Sequence, residues 1–251
     1  MQENRPFVLT IAGFDPSGGA GVLADAKTFE QHRVYGFAVN TGNTIQTENE
    51  FFEMQWTEID FVLKSLDKLL QNYTIKAVKI GIIPSLDYLK EIVSLVKKLS
   101  PKTKIVWDTV LKSTTEFNFI TIENKAVLIE ILEEIDLITP NYNEILQLSS
   151  EEINVETIAG ILSKYCAVLL KGGHNPDKIG VDSLYLENEI LKLAPNKTLV
   201  YEKHGSGCVL SSAITANLAL GQHLKTACTN AKKYIDTYLE SNPTKLGYHH
   251  V

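Results

Sequence analysis

The stretch Lys203-His204-Gly205-Ser206-Gly207-Cys208 brings together residue types that hold anions and move protons. Its glycines keep bulk away from the backbone, and the apolar run Val209 to Leu220 that follows reads as a buried helix. The first N–H groups of such a helix have no intrahelical partner, and the positive end of its dipole points the same way, which suits a phosphate. Cys208 lies at the mouth of that spot, where a thiol is expected to lose its proton more readily. An anion hole beside a proton acceptor points to phosphoryl transfer. The alternative is an inert buried thiol. The Gly-Ser-Gly lead-in favours the functional reading for Cys208, whereas Cys166 and Cys228 read as core thiols.

Three other clusters carry chemistry of the same kind. Asp15-Pro16-Ser17-Gly18-Gly19-Ala20-Gly21 precedes a helix. Its Gly19-x-Gly21-x-x-Ala24 spacing resembles a dinucleotide fingerprint but begins well past the strand end at Gly13, which argues against a nicotinamide dehydrogenase. No Walker-type GxxxxGK[ST] occurs. Asp25, inside that helix, reads by itself as a solvated carboxylate, and Gln46 as a polar residue near a strand end. Asn141 and Glu144 share a helix face just after Thr139-Pro140 and either hold a metal-bound water near phosphates or simply cap the helix. Lys171-Gly172-Gly173-His174 ends a strand with a cation and a flexible turn, suited to nucleotide phosphates or to plain exposure.

These clusters need a scaffold that gathers them. Strands are expected at Phe7 to Ala12, Ala77 to Ile80, Lys104 to Trp107, Asp136 to Thr139 and Ala167 to Leu170. Helices are expected at Ala20 to His32, Ile59 to Leu70, Leu86 to Leu99, Asn124 to Ile135, Asn141 to Leu148 and Val155 to Lys164. Phe37 to Val39 and Thr44 to Gln46 read as short extended pieces around a Gly-Asn turn. This alternation predicts an α/β fold, a mostly parallel sheet with helices on both faces. Short strands at Ser183 to Leu186, Ile190 to Leu193 and Thr198 to Tyr201 predict a small antiparallel edge. Helices Gly205 to Leu220 and Leu224 to Glu240 follow. In open α/β sheets ligands bind beyond the carboxyl ends of the strands, where these polar clusters fall. No linker or internal repeat interrupts the chain, so a single domain over 1–251 is expected.

Composition narrows the class. Of 251 residues, 44% are hydrophobic and 22% charged, the balance of a globular protein with one substantial core. The net charge of −6, without a basic block, speaks against a nucleic-acid surface. No apolar run approaches the length of a membrane span. The polar start, Met1 to Pro6, carries no secretory signal, and three cysteines without paired spacing fit a reducing, cytoplasmic setting. His249 and His250 lie where disorder is the default.

The segments LTIAGFDPSGGAGVLADAKTF, KIGII, WDTVLKS, DLITPNYNEI, LLKGGH, HGSGCVLSSAITANLALG and GYHHV, in this order, resemble the ribokinase superfamily. Within it they are similar to the hydroxymethylpyrimidine/phosphomethylpyrimidine kinases of thiamine biosynthesis. The resemblance implies a ribokinase-like fold and transfer of the ATP γ-phosphoryl group to the pyrimidine alcohol, then to its monophosphate, with Mg²⁺. It places Gly13, Ala20, Asp25, Thr44, Gln46 and Ile82 at the pyrimidine, and Asn141, Lys171 and Gly173 on the nucleotide side. Asp108 and Glu144 fall near Mg²⁺, which they hold mostly through water, and Gly205, Ser206, Gly207 and Cys208 fall at the reacting phosphoryl group. It also suggests a homodimer. Two stretches depart from the family: NTGNTIQTE before Gln46 is more polar, and TVLKSTTEFNF, which resembles a lid over the phosphates, lacks the usual Lys-Ser-Gly-Asp. A pyridoxal kinase and a non-catalytic metabolite-binding protein on the same scaffold are the rival readings. Gln46 speaks against the first, and the combination of Asp108, Glu144, Lys171 and Cys208 against the second.

Overall fold

The computed structural model describes residues 4–112, 117–122, 124–149, 153–175, 178–196 and 200–249. The chain runs β1 (Phe7–Phe14), α1 (Gly21–Gln31), β2 (Tyr35–Gln46), β3 (Phe51–Trp56), α2 (Ile59–Asn72), β4 (Ile75–Ile80), α3 (Leu86–Leu99) and β5 (Lys104–Trp107). It continues through α4 (Lys125–Leu132), β6 (Leu137–Ile138), α5 (Tyr142–Gln147), α6 (Val155–Leu162) and β7 (Ala167–Leu170). The antiparallel pair β8 (Asp182–Leu186) and β9 (Glu189–Leu193) follows, then α7 (Ser206–Ala219) and α8 (Leu224–Glu240).

One sheet holds all nine strands in the order β3-β2-β1-β4-β5-β6-β7-β8-β9. The central strands β2 to β7 in that order are parallel, and both ends are antiparallel. Successive side chains on a strand point to opposite faces, so a doubly covered sheet needs apolar residues at both parities. On one face Leu9, Ile11, Val78, Ile80, Ile105, Trp107 and Val168 pack against α2, α3, α4 and α6. On the other, Val106, Leu137 and Leu169 lie under α7 and α8, while Val8 and Ala77 meet Phe29 of α1 and Ala216 of α7. Amphipathic spacing orients the outer helices: Val62, Leu66 and Leu70 form the buried stripe of α2, and Leu89, Val93 and Val96 that of α3.

Three expectations change. The Gly-Asn turn is absent; β2 runs unbroken through Gly42-Asn43. Gly42 is small because β3 crosses it, and a Cβ there would lie 2.7 Å from Met54 Cε and 3.0 Å from the Gln55 carbonyl oxygen. The real turn is Thr47 to Glu50, closed by Thr47 N–H to Glu50 O at 2.8 Å, and it delivers the unforeseen strand β3. The sheet therefore has antiparallel pairing at both ends. Of the strand expected at 198–201, Thr198 and Leu199 lie outside the described residues. Tyr201 is not in a strand and donates its N–H to Leu239 O at the end of α8.

Candidate active site

The carboxyl ends of β1, β2, β4, β5 and β7 open into a cleft of about 420 Å³. Gly13, Ala20, Thr44, Gln46, Ile82, Asp108, Asn141, Glu144, Lys171, Gly173 and Gly205 to Cys208 all line it. Of the residues expected at the site, Asp25 alone does not line it.

Two helix N-termini meet at its floor. Gly205 caps α7 in a left-handed conformation, φ 72°. A Cβ there would fall 2.0 Å from Gly19 O and 2.7 Å from Ala20 Cα, so only glycine lets α7 begin against the start of α1. Gly207 follows on the first turn, and a Cβ on it would lie 3.3 Å from Lys171 Nζ. The free N–H groups of that turn thus face a lysine, an arrangement suited to an anion.

Cys208 lines the cleft and is partly accessible, whereas Cys166 and Cys228 are buried. Its ionisation departs from expectation. Burial pushes the thiol up to about 11, against the opposing pull of Lys79 and the Gly21 N–H at its sulfur, with Asp108 and Asp25 adding to the rise. The helix end is outweighed by enclosure among carboxylates, so the resting thiol is neutral at pH 7. Alkylation of Cys208 by iodoacetamide, followed by peptide mass, is therefore expected to be slow at pH 7 and to climb toward pH 11. A plateau reached by pH 8 would contradict the neutral thiol.

On the opposite wall Lys171 Nζ lies 3.0 Å from Asp108 Oδ1 and 3.5 Å from Glu144 Oε2. Thr139 Oγ1 donates to Asp108 Oδ1 at 3.0 Å and Ser211 Oγ to Asp108 Oδ2 at 3.0 Å. Burial would raise the Asp108 pKa, but Lys171 and Lys79 hold it below the usual value. For Glu144 burial wins: its pKa is raised despite Lys171, with Asp108 contributing. Burial would likewise discharge Lys171, yet the two carboxylates raise its pKa. Asn141 and Glu144 form a complete capping box on α5, Asn141 Oδ1 accepting from Glu144 N at 2.8 Å and Glu144 Oε2 from Asn141 N at 2.7 Å. The capping alternative is thus realised while both residues still line the cleft.

The first loop is held by Asp15 and His204, to which the sequence motifs assigned no role of their own. Asp15 accepts from Ser17 N, Ser17 Oγ and Ala20 N, and its Oδ2 lies 2.9 Å from His204 Nε2. Burial alone would raise the Asp15 pKa, but His204 and Ser17 bring it below the usual value. Asp15 thereby ties the first loop to the approach of α7. Thr44 donates to Phe14 O at 3.0 Å, so its hydroxyl serves the loop backbone. A bulge leaves Thr41 unpaired between Ala12 and Gly13 of β1, and it donates to Ile82 O at 2.8 Å. Gly13 makes room for Ile82, whose Cδ1 would be 2.3 Å from a Cβ there.

Asp25 is fully buried beneath this floor. It pairs with Lys79 at 2.5 Å and accepts from Thr10 Oγ1 at 2.5 Å and Ser212 Oγ at 2.6 Å. All its acceptor capacity faces the interior, which is why it does not reach the cleft. The lid-like loop after Asp108 contributes Val110, Lys112 and Phe119 to the cleft, and its residues 113–116 lie outside the described residues. His249, expected to be disordered, instead packs on Tyr238 with ring centroids 4.8 Å apart, its Nδ1 3.0 Å from Tyr234 OH; His250 lies outside the described residues.

The sequence profile of the phosphomethylpyrimidine kinase family matches residues 15–251. The chain belongs to this family. A hydroxymethylpyrimidine/phosphomethylpyrimidine kinase from Aquifex aeolicus is 35% identical over 247 residues, covering 95% of this chain and 96% of the relative. A solved phosphomethylpyrimidine kinase from Clostridium difficile superposes with a TM-score of 0.77 at 33% identity, over 92% of this chain and 98% of that one. Pyridoxal kinase from Staphylococcus aureus, solved with AMP-PCP and pyridoxal, superposes at 0.83 with 25% identity, over 97% and 92%. The expected ribokinase-like fold is thereby established for this family member. No helix among the described residues is long and apolar enough to cross a membrane.

Proposed function

We propose that this chain phosphorylates hydroxymethylpyrimidine with ATP and then converts the monophosphate to the pyrophosphate, as a cytoplasmic step of thiamine biosynthesis. One observation carries the reading. A single cleft joins a directional amide, Gln46, to the open N-terminal turn of α7 and to the Asp108–Glu144–Lys171 cluster. The unbroken sheet supports one kinase domain over 1–251, and a homodimer is the proposed assembly.

Gln46 reads the aminopyrimidine edge, because its amide both donates and accepts. Gly13, Ala20 and Ile82 supply the close, mostly apolar walls, and Thr44 holds the loop that carries them. Lys171, Asn141 and Gly173 take the nucleotide side. The N–H groups of Gly207 and Cys208, after Gly205 and Ser206, receive the transferred phosphoryl, where charge is spread over its oxygens in a loose transition state. In such a transition state the alcohol loses its proton late, so a strong base is not required. The neutral Cys208 thiol orients the hydroxyl and accepts its hydrogen bond at Sγ, and the proton leaves to an oxygen of the transferred phosphoryl group as the new O–P bond forms.

Mg²⁺ fits the donors present. Asp108 and Glu144 offer hard oxygens, and no group of three or more His, Cys, Asp or Glu among the described residues forms a cage of its own. Mg²⁺ is commonly held by one or two carboxylates together with water and phosphates. When bound it neutralises charge on the β- and γ-phosphates.

The closer superposition on a pyridoxal kinase favours pyridoxal as the second reading. The deciding experiment offers ATP with hydroxymethylpyrimidine, its monophosphate or pyridoxal and identifies products by mass. Turnover of pyridoxal alone would replace the pyrimidine reading, and tight binding without ATP consumption would replace both with a binding protein. Gln46→Met is expected to raise the pyrimidine KM by the loss of a buried polar pairing, about 1–3 kcal/mol, with the ATP KM unchanged. An unaltered pyrimidine KM and kcat would remove Gln46 from the site.

A further inference from the structure

Consecutive serines on α7 each meet a buried lysine–carboxylate pair. Ser211 donates to Asp108, which is paired with Lys171 in the cleft wall. Ser212 donates to Asp25, which is paired with Lys79, and this second pair has no contact with solvent: both side chains are 0% exposed. Thr10 and Lys79 are register partners on β1 and β4, so both present their side chains to the same face of the sheet. Asp25 comes down from α1 and Ser212 from α7. One carboxylate therefore joins two strands and two helices, and those two helices are the ones whose N-termini meet at the anion hole. Ser212 stands one turn beyond Cys208 on the same helical face. Burial alone would discharge the Lys79 ammonium, but Asp25 beside it keeps its pKa above that of an ordinary lysine.

A sealed ion pair is a poor source of stability, since well-packed apolar residues in its place are often neutral or better. Its directional bonds do something apolar packing does not: they fix how far α7 is rotated and advanced along its axis. We propose that Lys79–Asp25 is a positioning pair for the reaction, acting through Ser212 to hold the first turn of α7 in register with Lys171 and the phosphoryl group. Neither residue touches substrate. The inference deepens the kinase reading above and rests on it for its kinetic part.

The test compares Asp25→Leu/Lys79→Met, Ser212→Ala and Ser212→Thr with wild type. Tm, kcat, both KM values and amide hydrogen exchange of the peptide spanning residues 203–212 are measured. The apolar double variant is expected to fold with a lowered Tm, because the buried Thr10 and Ser212 hydroxyls lose their acceptor, to keep its KM values, to lose at least about tenfold in kcat, and to exchange faster in that peptide. Ser212→Ala is expected to do the same to a smaller extent, at least about threefold in kcat, with Ser212→Thr restoring most of the loss. A folded double variant with kcat within threefold of wild type and unaltered exchange overturns the proposal. Should the double variant not fold, Ser212→Ala decides alone, by the same two readouts. Hydrogen exchange is independent of which alcohol is phosphorylated, so failure of the substrate reading leaves this inference separately measurable.

Discussion

Valine in place of Gly207 is expected to lower kcat by at least about a hundredfold while pyrimidine binding persists. The reason is local. A Cβ at this position already approaches Lys171 Nζ to 3.3 Å and Asp108 Oδ2 to 4.0 Å. A β-branched side chain adds two methyl groups to that space, between the N–H groups of α7 and the lysine that faces them. An anion then loses either its backbone donors or its cation. Gln46, Thr44 and Ile82 line the cleft from the ends of other strands, so the proposed pyrimidine wall is untouched. Gly207→Ala, whose single methyl is tight but not impossible, should fall between the two. Calorimetric pyrimidine binding with kcat, on variants of matched Tm, separates the effects. Near-normal turnover by a folded valine variant would place the anion hole elsewhere.

The second large effect is a split between the two phosphorylations in Cys208→Asp. Phosphorylation of the alcohol should be retained or increased, because a carboxylate accepts the proton of a neutral nucleophile. Phosphorylation of the monophosphate should collapse. The incoming nucleophile is then already anionic, and two unit charges about 4 Å apart at an effective dielectric of about 20 repel by about 4 kcal/mol, roughly a thousandfold in rate. The surroundings sharpen the contrast. Asp108 and Asp25 already bear on this position strongly enough to help keep the thiol protonated. A neutral group here admits a phosphate where a further carboxylate would not. Cys208→Ala should harm the first step more than the second. Single-turnover rates for both substrates in each variant decide the matter, and equal proportional losses would leave Cys208 as a packing residue.

Much of this was legible in the chain because it depends on local patterns. Alternating strand and helix periodicity located the parallel sheet, and Gly-Ser-Gly before an apolar run located the start of α7. What failed was anything decided by neighbours distant in sequence. Gly42-Asn43 looks like a turn until β3 is laid across it. Helix position suggested an acidic Cys208, but enclosure near Asp108 and Asp25 reverses the sign. Asp25 was expected at the pyrimidine because the family resemblance places it there, yet its partners Lys79 and Ser212 lie far along the chain. One signal was available: Lys79 interrupts a strand otherwise fit for a fully covered sheet, and a buried lysine demands a buried carboxylate. The link from Asp15 to His204 had no comparable mark, since both residues look ordinary in glycine-rich loops.

The approach to α7 is also anchored from behind. Lys203 is buried and donates to Asn242 O and, at 2.6 Å, to Thr244 O, while His204 N–H donates to Lys245 O at 2.9 Å. A Cβ on Gly19 would meet Leu246 at 3.0 Å and His204 at 2.7 Å. This has a consequence for synthesis. The first loop leaves the ribosome long before the residues that press it into place. The sheet can assemble progressively as βα units emerge, whereas the cleft waits until Asn242 to Leu246 has been translated and released. A nascent chain stalled before that point would carry most of the core, an unbraced glycine loop and no competent site.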